Sequence, residues 1–453
     1  MRWKGILGLG LLAAAAAGAV WYAQPKFPTP DPQLACLTGA YTLEDGRVLT
    51  LTLLTSGNGL RWRLPDGRTS RISRGDGGVW SGQIGWTNHE DRSTSVQPAS
   101  CGDGTLRVDK LVGKRVELGS QDTRFAGDGV ELAGRLLLPP GTQPVPIAVL
   151  VHGSEDYSAI TYGWQQYLFA ANGIGAFVYD KRGTGASSGK YTQDFNLLAA
   201  DAAAALKEAR RLAGARAGRV GFMGGSQAGW IIPLAAGRSD AEFAAVAYGL
   251  AGSPLDEDRD QVLLELRRAG HGEDVLAKAR EVTAATGAVV ASGFKDGYEK
   301  LAEVSARYDK EPWWKELRGE FTGQVVGYPG WLLGVIGPWY DVGTSWNHDP
   351  MPPLLALKPP LLWVLAGADR EAPPEQTRER LLDVARQGGR VTLLEFPDTD
   401  HGILEFEQDA DGTRHHTRAA DGYFRLLVDW IRDGRLGAEP YGRARLLAQP
   451  AAG

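Results

Sequence analysis

The chain is poor in the residues that metal and redox chemistry require. Its 453 residues include two cysteines, three methionines and seven histidines. It has no His-Glu-x-x-His run, no metal-spaced cysteine set and no Gly-x-x-x-x-Gly-Lys phosphate box, so no cofactor or metal is expected. Neither sign of charge dominates: 49 basic against 54 acidic residues leave a net charge of −5. Without a basic stripe interleaved with aromatics, nucleic acid is not an expected partner. Long apolar runs are also lacking, with one exception at the amino terminus. Behind the basic start Met1-Arg2-Trp3-Lys4, the stretch Gly5–Val20 is apolar. It is short for a bilayer-spanning helix and reads as an export signal. Ala17-Gly18-Ala19 offers a small-x-small cleavage site. Uncleaved, residues 1–24 stay as a membrane anchor with Trp21 and Tyr22 at the interface. Either outcome places the remainder in the periplasm or outside the cell.

What is present divides into segments of different periodicity. The proline-rich stretch 24–33 reads as a linker. Within 25–118, Leu49–Leu53 and Leu60–Leu64 alternate with period two, and Asn58-Gly59 and Asp66-Gly67 are hairpin signals. Val79–Trp86 adds strand-like sequence. A small all-β domain is expected, with Cys36 and Cys101 paired in a disulfide that closes a loop of about 65 residues in an oxidising compartment. The domain either supports its neighbour or binds glycan or envelope through Trp62, Trp80 and Trp86.

From about residue 119 the pattern becomes strand-helix alternation. Leu132–Leu138, Ile147–Val151, Ile174–Tyr179, Arg219–Met223, Phe243–Tyr248, Leu361–Ala366 and Val391–Phe396 are short apolar runs of the kind buried in a parallel sheet. Leu197–Leu212, Gln227–Ala236 and Tyr423–Ile431 read as helices. The alternation covers 119–252 and 358–450 and is interrupted over 253–357. That insertion reads as a helical cap lying over the carboxyl ends of the strands, where open parallel sheets bind ligands. Its tryptophans, Trp313, Trp314, Trp331, Trp339 and Trp346, either pack the cap's own core or line an apolar substrate pocket.

Val220–Trp230 carries the chemistry. A strand ends in Gly224-Gly225, Ser226 follows, and small residues open a helix. A turn of so little bulk reverses a strand into a helix and exposes the serine oxygen in a strained backbone conformation. A serine hydroxyl needs a base, and the base needs an acid to hold its tautomer. His401, in a polar loop after the last strand pattern, is the expected base. Asp369, after the strand Leu361–Ala366, is the expected acid, with Glu371 and Asp256 as rivals. His152 is better read as shaping a turn, and Asp180 and Arg182 as pinning a loop. His89, His271, His348, His415 and His416 read as surface or packing residues, with substrate contact as the alternative for His348 because it lies in the cap.

Four motifs together resemble the α/β-hydrolase superfamily. They are Val151-His152-Gly153-Ser154, Tyr179-Asp180-Lys181-Arg182-Gly183-Thr184-Gly185, Gly224-Gly225-Ser226-Gln227-Ala228-Gly229, and Asp369 with His401 in their loops. The match is similar to bacterial esterases related to serine aminopeptidases and prolyl-oligopeptidase-like hydrolases, over about 119–250 and 356–435. One departure is Ala228, where the family has its second elbow glycine. The resemblance implies a mostly parallel, doubly wound sheet, a Ser226–His401–Asp369 triad, and an oxyanion hole from the N–H groups of Ser154 and Gln227. Cleavage of carboxylic esters through an acyl-enzyme is the expected activity. Hydrolysis of short peptides is the alternative, to be recognised by an acidic or carboxylate-binding group in the cap that holds a peptide terminus; the cap contains Asp256, Glu257, Asp258 and Glu311, although such charge runs usually form solvated faces. A non-catalytic envelope-binding protein would require a lost triad member, and none is lost.

Overall fold

A computed structural model describes residues 27–75, 79–83 and 93–450. The expected export segment, together with Trp86 and His89, lies outside the described residues. Among those described, no helix is long and apolar enough to cross a membrane.

The amino-terminal part forms one antiparallel sheet from β1 (Gly39–Leu43), β2 (Val48–Leu53), β3 (Leu60–Arg63), β4 (Thr69–Arg74), β5 (Trp80–Gln83), β6 (Val96–Pro98), β7 (Thr105–Val108) and β8 (Leu111–Arg115). Its order is β5-β4-β3-β2-β1-β8-β7-β6, so β5 and β6 are the edges. The Gln97 side chain bridges them: its Oε1 accepts from Trp80 N at 3.1 Å and its Nε2 donates to Trp80 O at 2.7 Å. An almost closed sheet leaves little open edge for another chain to pair with. The Asp66-Gly67 turn stands between β3 and β4, with Gly67 at φ +86°. Alternation puts Leu49, Leu51, Leu60, Trp62 and Ile72 inside, and Trp80 joins them. Trp62 and Trp80 therefore form the core of this unit rather than a binding face. The Cys36–Cys101 disulfide is present, with its Cα atoms 5.5 Å apart.

The second sheet contains β9 (Gly119–Ala126), β10 (Glu131–Leu138), β11 (Val145–Val151), β12 (Gly175–Tyr179), β13 (Ala217–Gly225), β14 (Ala244–Ala247), β15 (Leu361–Ala366), β16 (Val391–Phe396) and, at one edge, β19 (Arg445–Ala448). Its order is β19-β16-β15-β14-β13-β11-β12-β10-β9. The strands from β11 to β16 are parallel to their neighbours, and β9, β10 and β19 run antiparallel. Parallel strands need crossovers, and the helices that supply them bury both faces. On one face α2 (Phe195–Ala213), α3 (Ala228–Ala236) and α8 (Pro374–Arg386) pack in a single apolar cluster with Val149, Phe222 and Trp363. On the other, α1 (Gln165–Ala171) and α9 (Tyr423–Asp433) pack over Ala148, Phe243 and Leu362.

Between β14 and β15 the chain leaves the sheet and forms α4 (Pro254–Arg268), α5 (Glu273–Ala291), α6 (Tyr298–Tyr308) and α7 (Gly330–Tyr340). These helices share a small core that includes Val282, Val289 and Trp313. A two-stranded hairpin, β17 (Leu404–Gln408) and β18 (Arg414–Ala419), follows His401. It rests on the amino-terminal unit. Ala419 N donates to Gly67 O at 3.1 Å, and a Cβ on Gly67 would come within 1.9 Å of Ala419 O.

Replacing Cys36 and Cys101 by serine is expected to lower the unfolding free energy by about 2–5 kcal/mol, because the bridge closes a long loop. Calorimetry under non-reducing conditions checks this, and an unchanged melting temperature would contradict it.

Candidate active site

Ser226 sits at the sharp turn from β13 into α3, with φ +55°. A residue with a side chain enters this left-handed region only under constraint, and here the constraint is packing. A Cβ on Gly224 would stand 2.5 Å from both Ala228 Cβ and Val151 O, and one on Gly225 would run into the Tyr248 ring at 2.3 Å. The turn is further held by Ser226 N donating to Ala247 O at 3.1 Å, and by Gly229 N donating to Ser226 O at 2.8 Å. The departure at 228 is small in effect, since Ala228 is buried against Gly224.

His401 and Asp369, 32 positions apart, meet at the ends of β16 and β15. His401 Nδ1 lies 2.9 Å from Asp369 Oδ2. Asp369 is 2% exposed, and its Oδ1 accepts from Glu371 N at 2.9 Å and Ala372 N at 2.8 Å. Burial disfavours the charged imidazole, but the hydrogen bond and charge of Asp369, with Glu371 and Asp400 nearby, outweigh it and raise the His401 pKa above its ordinary value. Glu371 stands on the other side of the ring, with Oε1 3.5 Å from Nε2. Asp256 is engaged elsewhere, in the Ser253 capping box and with Arg259.

Ser226, His401, Ser154, Tyr248 and Glu371 line one cavity of about 390 Å³. The loop carrying Ser154 is shaped from beneath. Lys181 is buried, and its Nζ donates to Gly153 O at 2.6 Å and Glu155 O at 2.9 Å. Its pKa is pulled down to about 8 by burial. Tyr191 Oη donates to Ser154 O at 2.5 Å. Gly153 is placed so that a Cβ would lie 3.7 Å from Ser226 Cβ. Gln227 is buried at the start of α3. The Ser154 loop thus lines the same cavity as Ser226, and Gln227 follows Ser226 directly in the chain.

His152 is buried, bonded by Nε2 to Tyr179 O, and pushed down to about 3 by burial and then by the Lys181 charge. It stays neutral and serves the turn. Asp180 Oδ1 accepts from Ser158 Oγ at 2.8 Å and Ile160 N at 3.1 Å, and Arg182 forms a buried ion pair with Asp201 at 2.7 Å. Both pin loops. His348 packs edge-on against Phe195 and does not line the cavity. Nor does any cap tryptophan: Trp313 is in the cap core, whereas Trp331 and Trp339 face solvent.

Sequence reasoning missed three residues. Lys181 lay inside a quoted motif without a role. Tyr248, at φ +42°, packs edge-on to the His401 ring at 4.9 Å, with no sequence signal beyond its place at a strand end. Arg414, in β18, joins the loops of the acid and the base: Nη1 donates to Ala368 O at 2.6 Å and lies 2.9 Å from Asp400 Oδ2. The Asp400 Oδ1 in turn accepts from the backbone N–H groups of Arg370 and His401, each at 3.0 Å.

The serine stands at a positive-φ turn after the central strand β13, and the acid and the histidine follow β15 and β16, two and three strands over. The chain is an α/β-hydrolase by fold. A model of the X-Pro dipeptidyl-peptidase (S15) family matches residues 128–321 of this chain, less than half of it. No curated protein matches the chain. Among solved structures, an acylaminoacyl peptidase of Pyrococcus horikoshii is similar at 15% identity over 86% of this chain and 56% of its own, with a TM-score of 0.42. An esterase of Pyrococcus furiosus is 14% identical over 63% and 84% of the two chains, with a TM-score of 0.39. A puromycin-hydrolysing peptidase of Mycobacterium tuberculosis is 17% identical over 81% and 51%, with a TM-score of 0.41. The chain thus spans little more than half the length of the first and the last.

Ser226→Gly is expected to be more stable than Ser226→Ala by about 1–2 kcal/mol, since glycine adopts φ > 0 without strain. Denaturant titration of the two variants measures the difference, and equal midpoints would show an unstrained turn.

Proposed function

We propose that the protein is a serine hydrolase of carboxylic esters. The carrying observation is that Ser226 and His401 line one cavity while Asp369 holds the far nitrogen of that imidazole. Ser226 Oγ attacks the acyl carbon as His401 Nε2 takes its proton. The tetrahedral oxyanion sits toward the N–H groups of Ser154 and Gln227, each such donor being worth roughly 3 kcal/mol of barrier. Collapse expels the alcohol, which receives the proton from His401, and leaves an acyl-Ser226. Water, deprotonated by His401, releases the acid and restores the serine. Asp369 keeps the Nδ1–H tautomer and stabilises the imidazolium throughout. The Glu371 contact with Nε2 has to give way as the proton is transferred.

A second reading has one observation in its favour. Burial first, and then the charges of Glu320, Glu371 and Asp369, raise the pKa of the cap carboxyl Glu257, and burial followed by the charge of Glu371 acts in the same direction on Glu320. An amine would relieve that repulsion. Short peptides or aminoacyl derivatives with a free amino terminus carry such an amine, and the same triad cleaves their amides. The protein's place in the periplasm or outside the cell is proposed with either reading; the disulfide supports it.

Wild type is expected to react with a fluorophosphonate probe, Ser226→Ala and His401→Ala to lose labelling, and His152→Ala to keep it. Labelling that survives Ser226→Ala would remove the assignment. Parallel rates on a p-nitrophenyl ester and an aminoacyl-anilide separate the two substrate classes; the second reading requires that Glu257→Gln and Glu320→Gln depress the anilide rate selectively. Because His401 must be neutral to accept the proton, and its pKa is raised above 6.5, the acid limb of kcat/KM should be centred above that value. A limb below it would contradict the Asp369 pairing.

A further inference from the structure

Helix α7 is turned the wrong way round for water. Between Glu320 and Asp341 the sequence has no charged residue and no histidine. The helix sets small residues against its neighbours: a Cβ on Gly330 would stand 3.1 Å from the Tyr298 ring, and one on Gly337 would come 2.3 Å from Phe294. Leu333 is buried in the cap core, but several large side chains point outward. Trp331, Val335 and Trp339, spaced by four and so on one face, are 74%, 63% and 88% exposed, and Tyr340 is 77% exposed. A surface helix normally buries such residues. Tryptophan and tyrosine mixed with aliphatic groups, without charge, is the composition of a helix lying in a lipid interface.

The rest of the chain says what would cover this face. The apolar stretch Gly5–Val20, followed by Trp21 and Tyr22, is separated from the first described residue by Ala23–Lys26 alone. That residue, Phe27, seats on Tyr157 and Tyr162 in the loop after β11, with ring centroids 5.9 and 6.4 Å away. Just beyond α7, Val342 O accepts from Gln193 N at 3.0 Å and Thr192 Oγ1 at 2.8 Å, in the connection after β12. Phe27 and α7 therefore stand at the same end of the sheet, the carboxyl end, where the Ser226 cavity also lies. The geometry points to a phospholipid bilayer surface as the partner of α7, a second contact that supplements the amino-terminal segment. One weak membrane signal gives marginal binding, and two give stable binding. Resting on the hydrolase reading, the inference adds that lipophilic acyl esters reach the cavity from the bilayer.

The test uses the full chain with Val335→Cys carrying an environment-sensitive fluorophore; the native cysteines are tied in their disulfide. A second labelled protein, Arg390→Cys, reports from the amino end of β16. On phosphatidylcholine vesicles, nitroxide-bearing lipid should quench the probe at 335 about fivefold more than the probe at 390. Equal quenching would overturn the proposal. So would a probe at 335 that is already shielded without vesicles in a protein of dimeric mass, since a second copy would then cover the face. This readout needs no turnover, so an inactive protein would refute the hydrolase reading and leave the docking surface standing. Trp331→Glu combined with Trp339→Glu should slow hydrolysis of a vesicle-borne long-chain ester about tenfold and leave a water-soluble short-chain ester unchanged. Equal effects on the two esters would overturn delivery from the bilayer.

Discussion

The site depends on a backbone that has no room to relax. Ser226 keeps its left-handed conformation because Val151, Ala228 and the Tyr248 ring fill the space on either side of Gly224 and Gly225. Those contacts come from three strands, β11, β13 and β14, and from the helix that follows. The parallel sheet is thus more than a scaffold that carries a serine. Its close packing supplies the strain that holds the hydroxyl toward the cavity, and folding of the whole core offsets that local cost.

Around this turn the polar groups are arranged in layers, each fixed by the next. Asp369 is oriented by two N–H groups of its own loop and orients His401. Arg414 then ties the Asp369 loop to the His401 loop through Ala368 O and Asp400. On the opposite side the Lys181 ammonium fixes two carbonyls of the Ser154 loop. A buried cation satisfied by carbonyl oxygens is costly to form, and here it fixes the peptide groups of the loop beside Ser226. Preorganised dipoles of this kind need no rearrangement when charge develops.

Much of this was legible before any coordinates. Each apolar run from Leu132 to Phe396 became a strand of the second sheet, because buried parallel strands are apolar on both faces and so stand out as continuous runs. Elements that meet solvent were harder to see. The strand β9, GSQDTRFA, is mostly exposed, and the hairpin over 404–419 is rich in charge, so neither has an apolar signature. The serine turn was readable since glycine spacing is itself a steric record. Lys181 and Arg414 were not readable in their roles. Their partners are carbonyl oxygens and a carboxylate of loops distant in sequence, and nothing local marks such bonds. Trp62 and Trp80 left two readings open: tryptophan in a short strand suits a binding face as well as a core, and closure of the sheet put them inside.

The hairpin that follows His401 deserves a last physical reading. Its end leans on Gly67, where even one methyl group would collide with Ala419 O, and its Arg414 reaches back to the histidine loop. The amino-terminal unit thus abuts the hairpin at the β3–β4 turn, and the hairpin's Arg414 in turn bonds the loops of Asp369 and His401. A lineage exchanging that unit for another would have to exchange the hairpin with it, so the two should be inherited as a pair.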